Sequence, residues 1–162
     1  MKKSSKRLND ITIKDVKNYF IDERYKIKKQ VESFNDLPEM MFAEMEPVFV
    51  VSTGRARSEL LVRLMNESKM GNIYHEPRPR MFYSSKLVYE NSQDIQSKQI
   101  AYLNARYDLL KKAYLEENRF IETNNRNTFF ISALAELFPK AKFIQLVRHP
   151  GDFVRSGIRR KY

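Results

Sequence analysis

The sequence predicts an α/β fold in which a parallel β-sheet is flanked by helices. Segments typical of strands alternate four times with segments typical of helices, and this alternation favours parallel strands joined by helical crossovers. The 162 residues, 42% of them hydrophobic, suffice for one such core but not for two comfortable domains. We therefore expect an N-terminal helix and connector over residues 1–46 and one α/β domain over residues 47–162.

Composition excludes several classes of protein. The chain has no cysteine, which excludes a disulfide scaffold and a thiolate metal site. No apolar run approaches the roughly eighteen residues of a membrane span, and the N-terminus lacks the apolar core of a signal peptide. We expect a cytoplasmic protein. The formal net charge of +10 predicts an anionic partner.

The N-terminal region is rich in lysine over residues 2–29 and carries apolar side chains at helical spacing. These are Ile13, Val16, Tyr19, Phe20, Ile27 and Val31. They predict an amphipathic helix, capped by Asp10 or Thr12, that packs against the domain or a partner. A membrane-surface or nucleic-acid role is the alternative. Residues 33–46, with Pro38 and a cluster of methionines, are predicted to connect this helix to the core.

A strand, a glycine and a helix follow each other at the start of the predicted domain. Residues 48–52 are a short apolar run typical of a strand buried on both faces. Gly54 follows, and then apolar residues recur at the spacing of a helix: Leu60, Leu61, Leu64 and Met65. Backbone amides of residues 54–58, with Arg55 or Arg57, predict an anion site at the start of that helix. The turn has no lysine and is not a Walker A motif.

The middle of the chain predicts two further strands and two helices. Residues 72–75 form a second strand, followed by an extended proline-rich loop over residues 76–80. Residues 94–117 have the periodicity of a long helix, and residues 119–123 that of a third strand. A helix ending near Phe138 comes next.

The last predicted unit again runs from strand to turn to helix. Phe143 to Val147 is a mostly apolar strand with Arg148 at its carboxyl end. Pro150 suits the first turn of a helix, and Ser156 falls about two turns into it. Ligands of parallel sheets bind beyond the carboxyl ends of the strands. Arg148 and the turn at Gly54 can therefore converge on one ligand if their strands are neighbours.

These two turns give the chain its resemblance to a known family, the sulfotransferases that use 3′-phosphoadenosine 5′-phosphosulfate (PAPS), above all those acting on carbohydrates and tyrosyl proteins. The run Thr53–Glu59 resembles the signature that grips the 5′-phosphosulfate, and Arg148-His149-Pro150 with Ser156 resembles the one that grips the 3′-phosphate. Residues 133–142 are similar to the family's approach to that strand. The resemblance implies a P-loop-NTPase-like fold, PAPS as cosubstrate and no metal. The implied donor-binding residues are Gly54, Arg55, Ala56, Arg57, Ser58, Glu59, Arg148 and Ser156.

The chain departs from the family pattern at three positions. Arg57 stands in place of a glycine, Glu59 in place of a threonine, and His149 in place of an aspartate. An arginine can still contact phosphate, whereas the Glu59 carboxylate repels the donor unless it turns away or is paired. We interpret His149 as local packing or capping. The resemblance covers about residues 47–160, and family members usually continue well beyond it, so the domain is expected to be incomplete.

Glu76 is the predicted general base, and Arg55 is implied to stabilise the oxygen that leaves with the nucleotide. Glu76 ends the second strand, and a glutamate in a similar Glu-Pro context serves as base in tyrosylprotein and several sugar sulfotransferases. His75 is the alternative base. Neighbouring strand residues point to opposite faces, so His75 and Glu76 are not both expected to line the site. A surface ion pair between Glu76 and Arg78 or Arg80 is a further interpretation.

Arg78 and Arg126 are the predicted acceptor contacts. Arg126 lies in an asparagine-rich stretch after the third strand, which is equally typical of a helix cap formed by Asn125 or Asn127. The expected acceptor is a hydroxyl of a small molecule, glycan or protein, with a sugar or protein preferred to a phenol. The phosphorylated donor accounts for the positive charge without nucleic acid. Two rival hypotheses are a P-loop kinase-like enzyme and a non-catalytic basic binding module.

Overall fold

The computed structural model describes residues 37–91 and 94–159. Within them lies one parallel sheet with the strand order β2-β3-β1-β4. The strands are β1 (Val48–Ser52), β2 (Asn72–His75), β3 (Phe120–Thr123) and β4 (Lys142–Leu146). The predicted α/β fold with an all-parallel sheet is confirmed.

Helices cover the sheet. They are α1 (Leu37–Glu44), α2 (Ser58–Glu67), α3 (Phe82–Asn91), α4 (Ile95–Leu115), α5 (Ile131–Leu137) and α6 (Pro150–Ile158), and a 3₁₀ helix (Asn125–Phe130) precedes α5. The predictions for α2, α4, α5 and α6 are confirmed. The connector predicted over residues 33–46 instead contains α1, and the sequence reasoning missed α3. The amphipathic helix predicted within residues 2–31 lies outside the described residues.

The longest helix, α4, starts at a capped end. Asp94 accepts a hydrogen bond from the backbone N–H of Ser97 at 2.8 Å and another from the Ser97 hydroxyl at 2.8 Å. These hydrogen bonds to the ionised carboxylate lower the pKa of Asp94. The cap fixes where the helix begins, since it satisfies an amide that has no partner within the helix.

Strand β1 is buried on both faces of the sheet. On one face Phe49 meets Tyr102 of α4, with ring centroids 5.9 Å apart, and belongs to the larger core cluster. On the other face Val48 and Val50 pack with Met65 of α2. Because side chains alternate along a strand, β1 contributes to a hydrophobic layer on each face of the sheet. This packing holds β1 in place before the turn that follows it.

Strand register brings two turns to the same level. Strands β1 and β4 are neighbours, and Ser52 lies opposite Leu146. Gly54 and Arg148 each follow two residues later, so both leave the carboxyl edge of the sheet at the same height. Strand β2 is separated from β1 by β3, a distance of roughly 10 Å, or two strand spacings.

Candidate active site

The turn after β1, residues 53–57, has an unusual backbone and is called the anion loop below. Gly54 has φ 80°, Arg55 φ 50° and Arg57 φ 64°. Positive φ is uncommon for residues with a Cβ, and successive amides in such turns form concave sites for anions. Helix α2 begins directly after Arg57, and no side chain caps it. Amides at the start of α2 are therefore available to a ligand.

The two predicted halves of the donor site touch each other. The Arg55 guanidinium donates a hydrogen bond through Nη2 to Ser156 Oγ on α6 at 2.9 Å. Arg148 Nη1 donates to the backbone carbonyl of Arg55 at 2.7 Å. Residues about a hundred positions apart in the chain are thus joined by two short contacts, and the anion loop is bound directly to the turn after β4.

A cavity of about 190 Å³ opens at this junction and is called the arginine cavity below. It is lined by Arg55, Arg148, Asp152, Arg155, Ser156 and Arg159. Asp152 is engaged by Arg155, with 3.6 Å between their nearest charged atoms. Four guanidinium groups around one carboxylate give the cavity a positive charge, which suits a phosphate group.

One polar atom of Arg55 lacks a partner. Arg55 Nε is buried and has no hydrogen-bond partner in the described part of the chain. Leaving a buried donor unpaired costs about 1 to 3 kcal/mol. The described residues leave this cost unoffset.

The residues that depart from the family pattern point outward. Glu59 forms an ion pair with Arg63 at 2.8 Å on the surface of α2, and both side chains are mostly exposed. Its carboxylate is therefore neutralised one turn along the helix, as the sequence reasoning required for a site that accepts an anion. Arg57 is exposed, Ala56 and Ser58 are half-buried, and all three lie in or beside the anion loop.

His149 caps α6. Its Nδ1 accepts a hydrogen bond from the N–H of Gly151 at 3.2 Å. This geometry agrees with the interpretation of His149 as a capping residue, and it keeps Pro150 at the first helical position.

Glu76 lies at the carboxyl edge of the sheet, on the far side of β3 from the anion loop. Its backbone N–H donates to the Thr123 carbonyl at 3.0 Å, and its φ of 42° ends β2. The side chain is half-buried. His75 is exposed, and its Nδ1 lies 2.7 Å from Thr123 Oγ1. Both candidate bases are therefore fixed to the end of β3 rather than to β1.

Arg78 and Arg126 do not come together. Arg78 lines a cavity of about 610 Å³ with residues of α4. Arg126 instead lines a different cleft, of about 490 Å³, with Ser52 and Thr53 beside the anion loop. Of the two predicted acceptor contacts, Arg126 is thus the one that lies next to the anion loop.

The asparagine-rich stretch caps the 3₁₀ helix, but through a different residue than predicted. Asn124 Oδ1 accepts from the N–H of Arg126 at 3.1 Å, and Asn124 is the residue before the helix. Asn127 is fully buried, and Asn125 Nδ2 lies 3.3 Å from the position of a Cβ added to Gly54. The prediction of Asn125 or Asn127 as the cap is wrong.

A buried ionic network supports both edges of the site. Arg106 Nε donates to Glu122 Oε1 at 2.9 Å, and Tyr102 donates to Glu122 Oε2 at 2.6 Å, all three side chains being fully buried. Arg106 also donates to the Pro79 carbonyl, and Asn124 Nδ2 donates to Glu122. The network thus ties the loop after Glu76 to the cap of the 3₁₀ helix.

This buried environment changes the pKa of one side chain, Tyr102. Burial, followed by the neighbouring Glu122 carboxylate, raises the pKa of Tyr102 well above its usual value. Tyr102 therefore remains a hydrogen-bond donor to Glu122. The sequence reasoning did not predict this network. The one local signal of the network is a glutamate that directly follows two large apolar strand residues, Phe120 and Ile121.

Comparison with protein families decides the assignment. The model of the sulfotransferase family matches residues 47–160, which is well over half of the chain and includes both turns of the site. The chain belongs to the sulfotransferase family. This sulfotransferase is therefore an enzyme that transfers sulfate, and its parallel sheet flanked by helices is consistent with the P-loop-like fold of the family.

One further comparison and two absences within the described residues complete the description of the site. A search among curated proteins finds no significant match to this sulfotransferase. Over residues 37–91 and 94–159, no helix combines the length and apolar character needed to cross a membrane, and no group of three or more potential metal ligands occurs.

Proposed function

We propose that this sulfotransferase uses PAPS as its donor and transfers the sulfuryl group to a hydroxyl of a sugar or protein. The observation that carries the donor assignment is the contact between the two motifs, Arg55 to Ser156 and Arg148 to Arg55. The donor carries one phosphate group at each end of its ribose. The anion loop and the arginine cavity offer two adjoining cationic sites for them.

The proposal gives each donor-binding residue a role. Amides of residues 56–59 and the Ser58 hydroxyl bind the 5′-phosphate at the start of α2, where the helix dipole is positive. Arg148 and Ser156 bind the 3′-phosphate from β4 and α6. Arg55 lies between the two groups, where its charge neutralises the oxygen that leaves with the nucleotide.

Glu76 is the proposed general base. It takes the proton from the acceptor hydroxyl as that oxygen forms its bond to sulfur, and the bond between sulfur and the phosphate oxygen breaks on the opposite side. The products are the sulfate ester and adenosine 3′,5′-bisphosphate. Because Glu76 lies across β3 from the anion loop, the acceptor hydroxyl must lie above the end of β3.

The proposed type of acceptor and the proposed cellular location of the protein are both inferred from the sequence. The Glu76-Pro77 pair favours a sugar or protein hydroxyl over a phenol, by resemblance to enzymes with that base. A cytoplasmic location remains a prediction.

Transfer of labelled sulfate from PAPS tests the proposal. Glu76→Gln should lower turnover by about 10² to 10⁴, the usual contribution of a positioned base, and leave the affinity for adenosine 3′,5′-bisphosphate unchanged. Glu136→Gln is the matched control, since Glu136 is exposed on α5. Unchanged turnover in Glu76→Gln would reject Glu76 as the base, and absence of label transfer from the wild-type protein to any hydroxyl acceptor would reject the activity.

A further inference from the structure

A cleft of about 490 Å³ lies on the other side of the anion loop from the arginine cavity. Ser52 and Thr53, where β1 ends, form part of its lining, and its walls come from α3 and the 3₁₀ helix. Strands β3 and β4 flank β1 on opposite sides. The arginine cavity lies on the β4 side, and this cleft, called the aromatic cleft below, lies on the β3 side.

The position of the aromatic cleft matches the needs of in-line transfer. The attacking and leaving oxygens lie on opposite sides of the transferred group. If the 3′-phosphate end of the nucleotide occupies the arginine cavity, as the proposed function requires, the acceptor approaches the anion loop from the opposite side. The aromatic cleft lies on that side.

Three aromatic side chains line the cleft and are unusually exposed. Phe82, Tyr89 and Phe129 are 54%, 75% and 39% exposed. Tyr89 and Phe129 meet edge to face, with ring centroids 5.9 Å apart. Rings of this kind present flat apolar faces on which a sugar or aryl ring packs.

The charge of the cleft is positive. Its lining residues include Arg126 and Lys86 but no aspartate or glutamate. Lys86 Nζ lies 3.7 Å from Glu90 Oε1, in an ion pair between two exposed side chains outside the lining. The Arg126 guanidinium carbon lies 3.7 Å from the centroid of the Phe82 ring, which holds the group in place. Its described side-chain hydrogen bond is a long one, 3.4 Å to Asn125 Oδ1, and no described carboxylate forms an ion pair with it. A preorganised guanidinium without a counter-ion is suited to a carboxylate or sulfate group.

We propose that the aromatic cleft is the acceptor site and that Arg126, assisted by Lys86, selects acceptors whose ring carries an anionic group. The proposal rests on the proposed function for the position of the donor. It goes beyond it by naming the chemistry that distinguishes one hydroxyl acceptor from another. Sugar and aryl rings share this chemistry, so the experiment includes both.

Ligand-observed NMR with two pairs of probes tests the proposal, in the presence of adenosine 3′,5′-bisphosphate. One pair is methyl β-glucuronide and methyl β-glucoside, and the other is 4-hydroxybenzoate and 4-hydroxybenzamide. In at least one pair the charged probe should bind about tenfold more tightly or better, the effect of one charge-assisted contact. The pair that shows the effect identifies the type of ring.

Arg126→Gln should abolish that preference, and Lys86→Gln should reduce it. Arg119→Gln makes the same change of charge beside the amino end of β3 and should leave the preference intact. Thermal unfolding of each variant verifies that it is folded. Equal binding of charged and neutral probes, binding of neither pair, or a preference that survives Arg126→Gln would overturn the proposal.

The bisphosphate itself separates the two proposals. Its affinity, measured by calorimetry, should be the same in the wild-type protein and in Arg126→Gln. Charge-selective probe binding without any bisphosphate binding would support the cleft and overturn the donor assignment. Bisphosphate binding without a preference for charged probes would support the donor assignment and overturn the proposal for the aromatic cleft.

Discussion

Replacement of Arg148 by alanine is expected to weaken donor binding in a way that depends on the 3′-phosphate. Arg148 lines the arginine cavity and donates one hydrogen bond, of 2.7 Å, to the Arg55 carbonyl. Its remaining N–H groups can reach a phosphate in the cavity. A charge-assisted hydrogen bond contributes about 1.5 to 3 kcal/mol, so the dissociation constant of adenosine 3′,5′-bisphosphate should rise roughly 10- to 150-fold.

Calorimetry with two nucleotides separates recognition of the 3′-phosphate from support of the anion loop. Adenosine 3′,5′-bisphosphate should lose most of its advantage over 5′-AMP in Arg148→Ala, since 5′-AMP lacks the group that Arg148 binds. Arg119→Ala, at the opposite edge of the sheet, should change neither affinity. Equal weakening of both nucleotides would refute the reasoning, because it would mean that Arg148 acts only through the Arg55 carbonyl.

The remaining predictions concern the loop, the buried network and a cap. Gly54→Ala should weaken bisphosphate binding and lower the melting temperature, because a left-handed residue with a Cβ costs about 1 to 2 kcal/mol and Gly54 has φ 80°; unchanged binding and melting would contradict this. Tyr102→Phe should cost about 1.5 to 3 kcal/mol in urea unfolding, since it removes a 2.6 Å hydrogen bond to the buried Glu122 carboxylate. In the wild-type protein the raised pKa of Tyr102 means that stability is full below about pH 10 and falls as the pH rises above it. Asp94→Ala should lower the melting temperature at neutral pH; because the pKa of Asp94 is lowered in the folded state, the difference from wild type should shrink as the pH falls below about 4. A difference independent of pH would argue against the cap.

Strands and their turns were predictable because their signals are local. The apolar run before Gly54 and the one before Arg148 each identify a strand, and the parallel order follows from the helices between them. Tertiary packing makes β1 and β4 neighbours, and no local sequence pattern specifies this. The pairing of the two strands brings the two separate motifs together into one site.

Helix α3 was missed because it has no apolar stripe. Phe82, Tyr83 and Tyr89 are exposed, while Ser85 and Val88 are buried, so periodicity does not distinguish it from a loop. Yet this helix supplies one wall of the aromatic cleft, and without it the composition of the cleft could not be foreseen.

Tertiary contacts also decided the details that sequence reasoning missed or misplaced. Three asparagines lie near the end of β3. Asn124 is the cap, with an extended backbone and a side chain that accepts from the N–H of Arg126, and its own N–H donates to the Val50 carbonyl of β1. The pairing of Arg106 with Glu122 joins a helix to a strand 16 residues away, and no local pattern specifies such a partner.

Binding of adenosine 3′,5′-bisphosphate to the wild-type chain is the decisive test that the two turns form one donor site. A thermal-shift titration compares it with ATP plus magnesium and with duplex DNA. We expect the bisphosphate to raise the melting temperature more than either, because its two phosphate groups occupy the anion loop and the arginine cavity together. Stabilisation by ATP with magnesium, or by DNA, but not by the bisphosphate would contradict it.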